Sequence, residues 1–304
     1  MSDFFSGGWS VFIAVATVVS LLACVALLVF ASRRTQMAND NSTGHVFDGD
    51  LVEMNNPMPM WWVVLFVLTV VFALAYVYAF PALGSVAGSL GWTSRGELEA
   101  DQALAAKAAA QVYAPFTGVP AETLSQDDKA MAIGQRLFIN NCATCHGSDA
   151  RGSKGFPNLT DDDWLHGGSP AKIEETITLG RTGVMPPMAA AVGTATDVHN
   201  VAQYVLSLSK GPNDSIAAYS GKAKFAVCAA CHGADGKGNV ALGAPDLTDG
   251  IWLHGWGEAA ITQMINNGKT NVMPAQGGRL SPEQIHVLAS YVWGLSHPRR
   301  TAAR

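Results

Sequence analysis

The sequence predicts a mainly α-helical, membrane-anchored protein with two transmembrane helices followed by two tandem copies of a small all-α domain. Three observations support this prediction. Only 14% of the 304 residues are charged, against about 25% in an average soluble domain. Two long segments contain no charged residue, and the last 180 or so residues repeat themselves. With a pI near 5.9 and no long basic run, the composition excludes sequence-independent nucleic-acid binding.

Two apolar segments have the length of membrane-spanning helices. No charge occurs from Trp9 to Ala31 or from Trp61 to Phe80, and each segment would be about 30 Å long as a helix, the thickness of a bilayer core. A buried core helix is the alternative, but uncharged runs of this length are rare there. The tryptophans that begin each run are placed as interfacial anchors. We therefore expect a first span within residues 1–31, after a short outer N-terminus, and a second span over 61–80.

The positions of the basic residues predict the orientation. Arg33 and Arg34 follow the first span at once, whereas the segment before it holds only Asp3. The positive-inside rule then places the loop 32–60 in the cytoplasm of a bacterium and both chain ends in the periplasm. The N-terminus lacks the basic region and short apolar core of a cleaved signal peptide, so we expect a two-pass protein of the inner membrane.

Residues 81–125 are predicted to form a periplasmic linker with one helix. Strong helix formers run from Glu97 to Val112, and Pro115 and Pro120 follow them.

From residue 126 onward the chain contains one domain twice, which predicts domains at 126–210 and 211–304. Each copy is about 85 residues long and is expected to be mostly helical, with an opening helix that has Gly and Phe on one face. The matching segments are CATCHG at 142–147 and CAACHG at 228–233, NLTDDDWLHG at 158–167 and DLTDGIWLHG at 246–255, VMP at 184–186 and 272–274, and AQYVLSLS at 202–209 and ASYVWGLS at 289–296.

The Cys-x-x-Cys-His run in each copy is the attachment signature of c-type haem. Two thiols one helical turn apart can add to the two vinyl groups of a porphyrin, and the adjacent His then supplies an axial nitrogen to the iron. A disulfide or a zinc site also uses Cys-x-x-Cys, but neither calls for a His at the next position twice. The sequence thus predicts two covalently bound haem c groups, with thioethers at Cys142, Cys145, Cys228 and Cys231 and iron ligands at His146 and His232.

A methionine that recurs in each copy is the predicted sixth ligand, because a thioether in this position raises the reduction potential. Met185 and Met273 occupy equivalent places in the VMP segments. Met188 competes with Met185, although its counterpart in the second copy is Gln276. A core-filling role is the alternative for any single methionine.

Other recurring residues leave a second ligand scheme open. Bis-histidine ligation would use one of the recurring histidines, which more plausibly cap helices, face solvent or bond near a propionate. Two recurring tryptophans are expected to pack on the haem edges, with each indole N–H seeking an acceptor. These residues are His166, His254, His199, His286, Trp164 and Trp252.

Six-coordinate His/Met iron has no open position for a substrate, which favours electron transfer over catalysis. A dihaem peroxidase is the alternative enzyme, but it would need a polar distal pocket that the sequence does not indicate. A haem sensor is a third interpretation, and the loop 32–60 is too short to contain an output domain.

At this point the residues resemble a known family, the dihaem cytochrome c subunit (subunit III) of the cbb3-type, or C-type haem-copper, cytochrome c oxidases. The resemblance covers almost the whole chain: TGHVFDGDLVEMNNPMPMWW at 43–62, LGWTS at 90–94 and the two Cys-x-x-Cys-His units. The first span resembles that of the longer family members.

The resemblance implies a role and a set of partners. Electrons would come from a donor cytochrome c, pass through both haems to a monohaem cytochrome c subunit, and reduce O₂ to water in the catalytic haem-copper subunit. The family's ligand pattern implies pairing of His146 with Met185 and of His232 with Met273. The loop carrying His45, Asp48 and Asp50 lies on the cytoplasmic side, and we expect it either to dock on the large subunit or to be a solvated, turn-rich loop.

Overall fold

The computed structural model describes residues 7–33 and 40–298, which form two compact units, 1–110 and 111–304. Asp3 and Arg34, used above to predict the orientation, lie outside the described residues.

The first unit contains both predicted membrane helices. Helix α1 spans Gly7–Ser32 and helix α2 spans Met60–Ala79, with mean hydropathies of 2.9 and 2.4. Near the start of α1, Ser10 Oγ accepts a hydrogen bond of 2.7 Å from the backbone N–H of Ser85, just beyond α2. Residue 84 must be glycine here, since its φ is +61° and a Cβ would collide with Ser10. The predicted pair of membrane helices is confirmed.

A β-hairpin that the sequence analysis did not anticipate occupies the loop between these helices. Strand β1 (Ser42–Phe47) pairs antiparallel with β2 (Leu51–Met54). The connection uses positive φ at Asp48 and Gly49, 51° and 86°, which these two residue types tolerate better than most. Part of the loop is therefore an ordered hairpin and not a turn-rich coil.

The predicted linker helix is present and slightly longer than expected. Helix α3 covers Ser94–Tyr113, after which a 3₁₀ turn (Ala114–Phe116) and the short helix α4 (Ala121–Leu124) lead into the repeated region.

The two sequence copies have matching secondary structure. Their elements are mostly helices, which confirms the mainly α fold. The first copy contains α5 (Asp128–Asn141), α6 (Ala143–His146), α7 (Pro170–Leu179), β3 (Arg181–Met185), α8 (Ala189–Val192) and α9 (Ala195–Leu208). The second copy contains α10 (Ser215–Lys224), a 3₁₀ turn (Phe225–Val227), α11 (Ala229–His232), α12 (Glu258–Asn267), β4 (Lys269–Met273) and α13 (Pro282–Ser296).

The closing helices are exchanged between the copies. Helix α13 of the second copy packs on α5 and α7 of the first, and α9 of the first copy packs on α10 and α12 of the second. Each hydrophobic core accordingly contains residues of both copies. One core has Phe138, Ile173, Ile177, Leu280, Ile285, Leu288, Ala289 and Val292 among its members, and the other has Val192, Val198, Val201, Ala202, Leu206, Phe225, Ile261 and Ile265.

Chain connectivity accounts for this exchange. Only six residues, 209–214, separate α9 from α10, and helices joined by so short a connection generally pack as antiparallel neighbours. Helix α9 thereby covers the opening helix of the second copy, and α13 is left to cover that of the first. The boundary predicted at residue 210 thus separates two sequence copies whose closing helices pack across it.

The strands β3 and β4 form the antiparallel ribbon where the copies cross. Its register runs from Arg181 opposite Met273 to Met185 opposite Lys269. Glycine is required immediately before each strand: Gly180 and Gly268 have φ of 71° and 66°, and a Cβ on either would collide with the backbone of the facing copy.

Candidate haem-binding site

Each Cys-x-x-Cys-His segment forms a single helical turn at the end of an opening helix. In the first copy the backbone N–H of Cys142 donates to Phe138 O (2.8 Å) and that of His146 donates to Cys142 O (3.0 Å). Cys142 is half-buried and Cys145 is exposed, and Cys228 and Cys231 repeat this arrangement. All four are free thiols, which gives the disulfide interpretation no support and leaves the thiols available for thioether bonds.

The adjacent histidines are held in the form that binds a metal. Nδ1 of His146 lies 3.0 Å from Pro157 O and Nδ1 of His232 lies 3.1 Å from Pro245 O. A backbone carbonyl can only accept, so Nδ1 donates and Nε2 keeps its lone pair for iron. Both residues are buried. Burial lowers the pKa of His232, with the Pro245 hydrogen bond acting in the opposite direction, so the neutral ligand form is favoured.

The buried thiols are not suited to nucleophilic catalysis. Burial, with a smaller effect of Cys145, raises the pKa of Cys142 to about 11, and burial also raises the pKa of Cys228. A thiol with so high a pKa is almost entirely protonated at neutral pH. Within residues 7–33 and 40–298, moreover, no three His, Cys, Asp or Glu side chains form a cluster that could bind a metal ion, which leaves the zinc interpretation without support.

The structure places each methionine segment against the other copy. Met273 of the second copy packs against the same core as Cys142 and Trp164 of the first. Conversely, the methionine segment of the first copy reaches the second: Met185 faces Lys269 across the ribbon, and Met188 N donates to Ile265 O at the end of α12. This packing favours a site in which Met273 lies near the first motif, and the pairing of histidine with methionine stays a prediction.

Met185 and Met188 remain the two candidates at the second motif. Met188 packs against the core that contains Cys228, but its counterpart Gln276 makes the matching contact in the other copy, where its N–H donates to Ile177 O. Met185 and Met273, by contrast, both end their strands at equivalent register positions. Symmetry therefore favours Met185 as the ligand and gives Met188 the packing role of Gln276.

The four histidines of the alternative bis-His scheme have other partners in the structure. His199 Nδ1 lies 2.7 Å from Glu258 Oε1, and His286 lies 3.2 Å from Glu174 Oε2 and 2.8 Å from Val119 O. His254 Nε2 lies 2.8 Å from the Asn271 side chain. The ring of His166 lies against Gly243 of the other copy. The contacts of His199, His286 and His166 join the two copies, whereas His254 and Asn271 both belong to the second copy. Recurrence in the sequence could not reveal this joining role.

The predicted haem-packing tryptophans each lie near one Cys-x-x-Cys-His turn. Trp164 packs on the core beside Cys142 and Trp252 on the core beside Cys228. The indole Nε1 of Trp252 is buried and has no hydrogen-bond partner among the described residues, a costly arrangement for a polar group. A haem carboxylate would supply the missing acceptor, so the residues present fit the group.

Comparisons with known proteins show which family the chain resembles. Residues 129–205 and 218–292 match the family model for subunit III of cbb3-type cytochrome c oxidase, and residues 39–87 match that for the N-terminal domain of FixP of the same oxidase. The cbb3-type cytochrome c oxidase subunit CcoP of Rubrivivax gelatinosus is 62% identical over 304 residues, which is the whole of both chains. The chain belongs to this family. FixP subunits of Azorhizobium caulinodans and Rhizobium meliloti are 43% and 39% identical over 83% and 86% of this chain, covering 92% and 96% of their own lengths.

Family membership confirms the resemblance inferred from the motifs. The cytochrome c domains of the family imply covalently bound haem c, and the two Cys-x-x-Cys-His turns are suited to receive it. Two apolar helices and a match to an oxidase subunit likewise indicate a membrane-anchored chain.

Proposed function

We propose that the chain holds two covalent haem c groups and relays single electrons within a cbb3-type oxidase. The observation that carries this proposal is the duplicated thiol turn with a buried histidine whose Nδ1 is held by a carbonyl, in a chain 62% identical to CcoP. When bound, haem c supplies an iron that exchanges one electron without bond rearrangement.

The two sites are assembled from both copies. Cys142 and Cys145 would hold the first haem, with His146 and Met273 binding its iron. Cys228 and Cys231 would hold the second, with His232 and Met185. The support for this pairing is the shared core of Cys142 and Met273 together with the symmetric register of β3 and β4.

The residues around each site suit electron transfer. Phe138 and Val201 in the two cores are fully buried, so both sites adjoin dry, close-packed interiors with little freedom to reorganise. The carbonyls of Pro157 and Pro245 fix the rings of the axial histidines. With both axial positions filled by the chain, a substrate has no place to bind, and this is the reason to prefer electron relay to peroxidase activity.

The partners follow from the names of the relatives, which are subunits of cbb3-type oxidases. We infer that a donor cytochrome c delivers electrons to this chain and that a monohaem cytochrome c subunit carries them to the catalytic haem-copper subunit, where O₂ is reduced. Arg33 after α1 supports a cytoplasmic loop and a periplasmic location for both haem sites. The β1–β2 hairpin would then dock on the catalytic subunit from the cytoplasmic side.

The test is purification from detergent, followed by intact mass measurement and a pyridine haemochrome assay. The proposal predicts two covalent haems per chain, one after C142A/C145A or C228A/C231A, and copurification of larger oxidase subunits. A lone chain with peroxidase turnover would instead favour the dihaem peroxidase interpretation, and a colourless chain would refute haem binding.

A further inference from the structure

The two Trp-Leu-His-Gly turns, 164–167 and 252–255, are equivalent in sequence but not in the charges beside them. Each turn contacts the other copy: the N–H of Gly155 donates to Leu253 O (2.8 Å), and the equivalent Gly243 packs on the ring of His166. Each turn also includes the tryptophan that packs on one of the two hydrophobic cores. A charge near one turn therefore lies near the tryptophan of one of the two sites.

Lys154 places a positive charge beside the second turn only. Its Nζ lies 3.8 Å from the position a Cβ would take on Gly255. The residue at the equivalent position in the second copy is Leu242. Lys154 lies three residues before Pro157, and Leu242 lies three residues before Pro245. The residue that precedes Gly243, the glycine against the first turn, is thus apolar, whereas the residue that precedes Gly155 is a lysine.

The strand residues increase this asymmetry. Beside the first turn, Lys172 and Arg181 share the carboxylate of Glu175, at 2.7 Å and 2.9 Å, so that one of their two positive charges is compensated. Its counterpart beside the second turn, Lys269, has no ion pair among the described residues. Asp162 and Asp163 of the first copy are replaced by Gly250 and Ile251 in the second.

These charges change the pKa values of the histidines within the turns. Burial lowers the pKa of His254, and Lys269 and Lys154 lower it further. Burial also lowers the pKa of His166, as do Arg181 and, to a smaller extent, Lys172, but Glu175 acts in the opposite direction. The second turn is therefore the more electropositive of the two.

We propose that Lys154, reaching from the first copy to the Trp252–Gly255 turn of the second, raises the reduction potential of the second-motif haem above that of the first. This inference rests on the proposed function, since it concerns two haem sites. A positive charge stabilises the reduced iron, which has one positive charge fewer than the oxidised iron. In a singly reduced chain the electron would therefore move from the first site, which would be oxidised, to the second, which would be reduced, with no proton transferred and no bond broken.

The test exchanges the two equivalent residues. Spectropotentiometric titration of the purified complex is carried out for K154L, for L242K and for the double exchange. Each site is identified in a background where its proposed methionine is replaced by histidine, which lowers that site's potential. K154L should lower only the second-motif potential, shifting the electron distribution by about twofold to tenfold, where tenfold corresponds to ~59 mV for one electron. L242K should raise only the first-motif potential.

The control is K129L, which removes an equal charge at the far end of α5, about 20 Å along the helix from Cys142. The proposal is overturned if K154L shifts neither potential, shifts both equally, or shifts them no more than K129L does. Haem content, measured in every variant, separates failure of this inference from failure of the proposed function. Two haems per chain with unchanged potentials would refute the role of Lys154 alone. Fewer than two haems in the unmodified chain would refute the proposed function.

Discussion

Replacing Gly134 by alanine should loosen α13, which lies 150 residues away in sequence. A Cβ at Gly134 would collide with Tyr291 Cβ and lie 3.1 Å from Tyr291 Cγ and Val287 O, all on α13. Overpacking of this kind costs about 1–3 kcal/mol, and alanine regains about 1 kcal/mol of helix propensity. Because the collision involves the first side-chain atom on a buried helix face, we expect the overpacking cost to lie near the upper end of its range. The net loss in stability is then about 1–2 kcal/mol.

Hydrogen exchange on the full chain in detergent, read by mass spectrometry, measures this effect. Amides of α13 should exchange about 5 to 30 times faster in G134A, while those of α9 are unchanged. Gly278 is the matched control, because nothing lies within 4 Å of a Cβ there and G278A should have no effect. If G134A loosens α9 and leaves α13 protected, each copy closes on itself and the exchanged packing is refuted.

Two further predictions concern stability. Thr194 and Ser281 cap α9 and α13 through capping boxes. T194A and S281A should therefore each lower the free energy of unfolding by about 1 kcal/mol, and amide hydrogen exchange should become faster only in the helix that lost its cap. Equal loosening of both helices would contradict the separate cores. Burial first, and then Asp249, Asp161 and Asp246, raise the pKa of Asp163. The folded state therefore binds this proton more tightly than the unfolded state, and stability falls as pH rises above the ordinary aspartate value of 3.8. D163N should relieve this loss, so the variant should be more stable than the unmodified chain at pH 7 but not at a pH below the ordinary aspartate pKa. Denaturation measured over a pH series tests this, with D162N, at an exposed position, as the control. A gain in stability that is independent of pH would contradict the electrostatic cause.

The chemistry of the sites could be predicted from sequence because it is local. A Cys-x-x-Cys-His turn needs only one helical turn to bring its groups together, and the motif is sufficient to identify Cys142, Cys145 and His146. The spacing of Gly134 and Phe138 likewise predicted a shared helix face, and both residues are buried against α13. Long uncharged runs were sufficient for the two membrane helices.

The pairing of the copies could not be predicted in the same way. Because the copies are alike, α9 and α13 present similar faces: Val201 and Leu288 are both fully buried in their cores. Either helix could in principle cover either opening helix, and the decision depends on the short connection 209–214 and on the crossing of β3 with β4. Those are properties of the whole chain and not of a motif. The His199–Glu258 and His286–Glu174 pairs were missed for the same reason, since each joins residues of different copies.

The most direct test of the account is to ask which methionine binds the iron of a single-haem chain. In C228A/C231A only the first haem is attached, and a near-infrared thioether-to-iron band reports its methionine. We predict that M273A abolishes this band and that M185A and M188A leave it unchanged, with the reciprocal C142A/C145A chain losing its band on M185A. Loss of the band on M185A in the first chain, or its absence before any methionine is changed, would contradict the account.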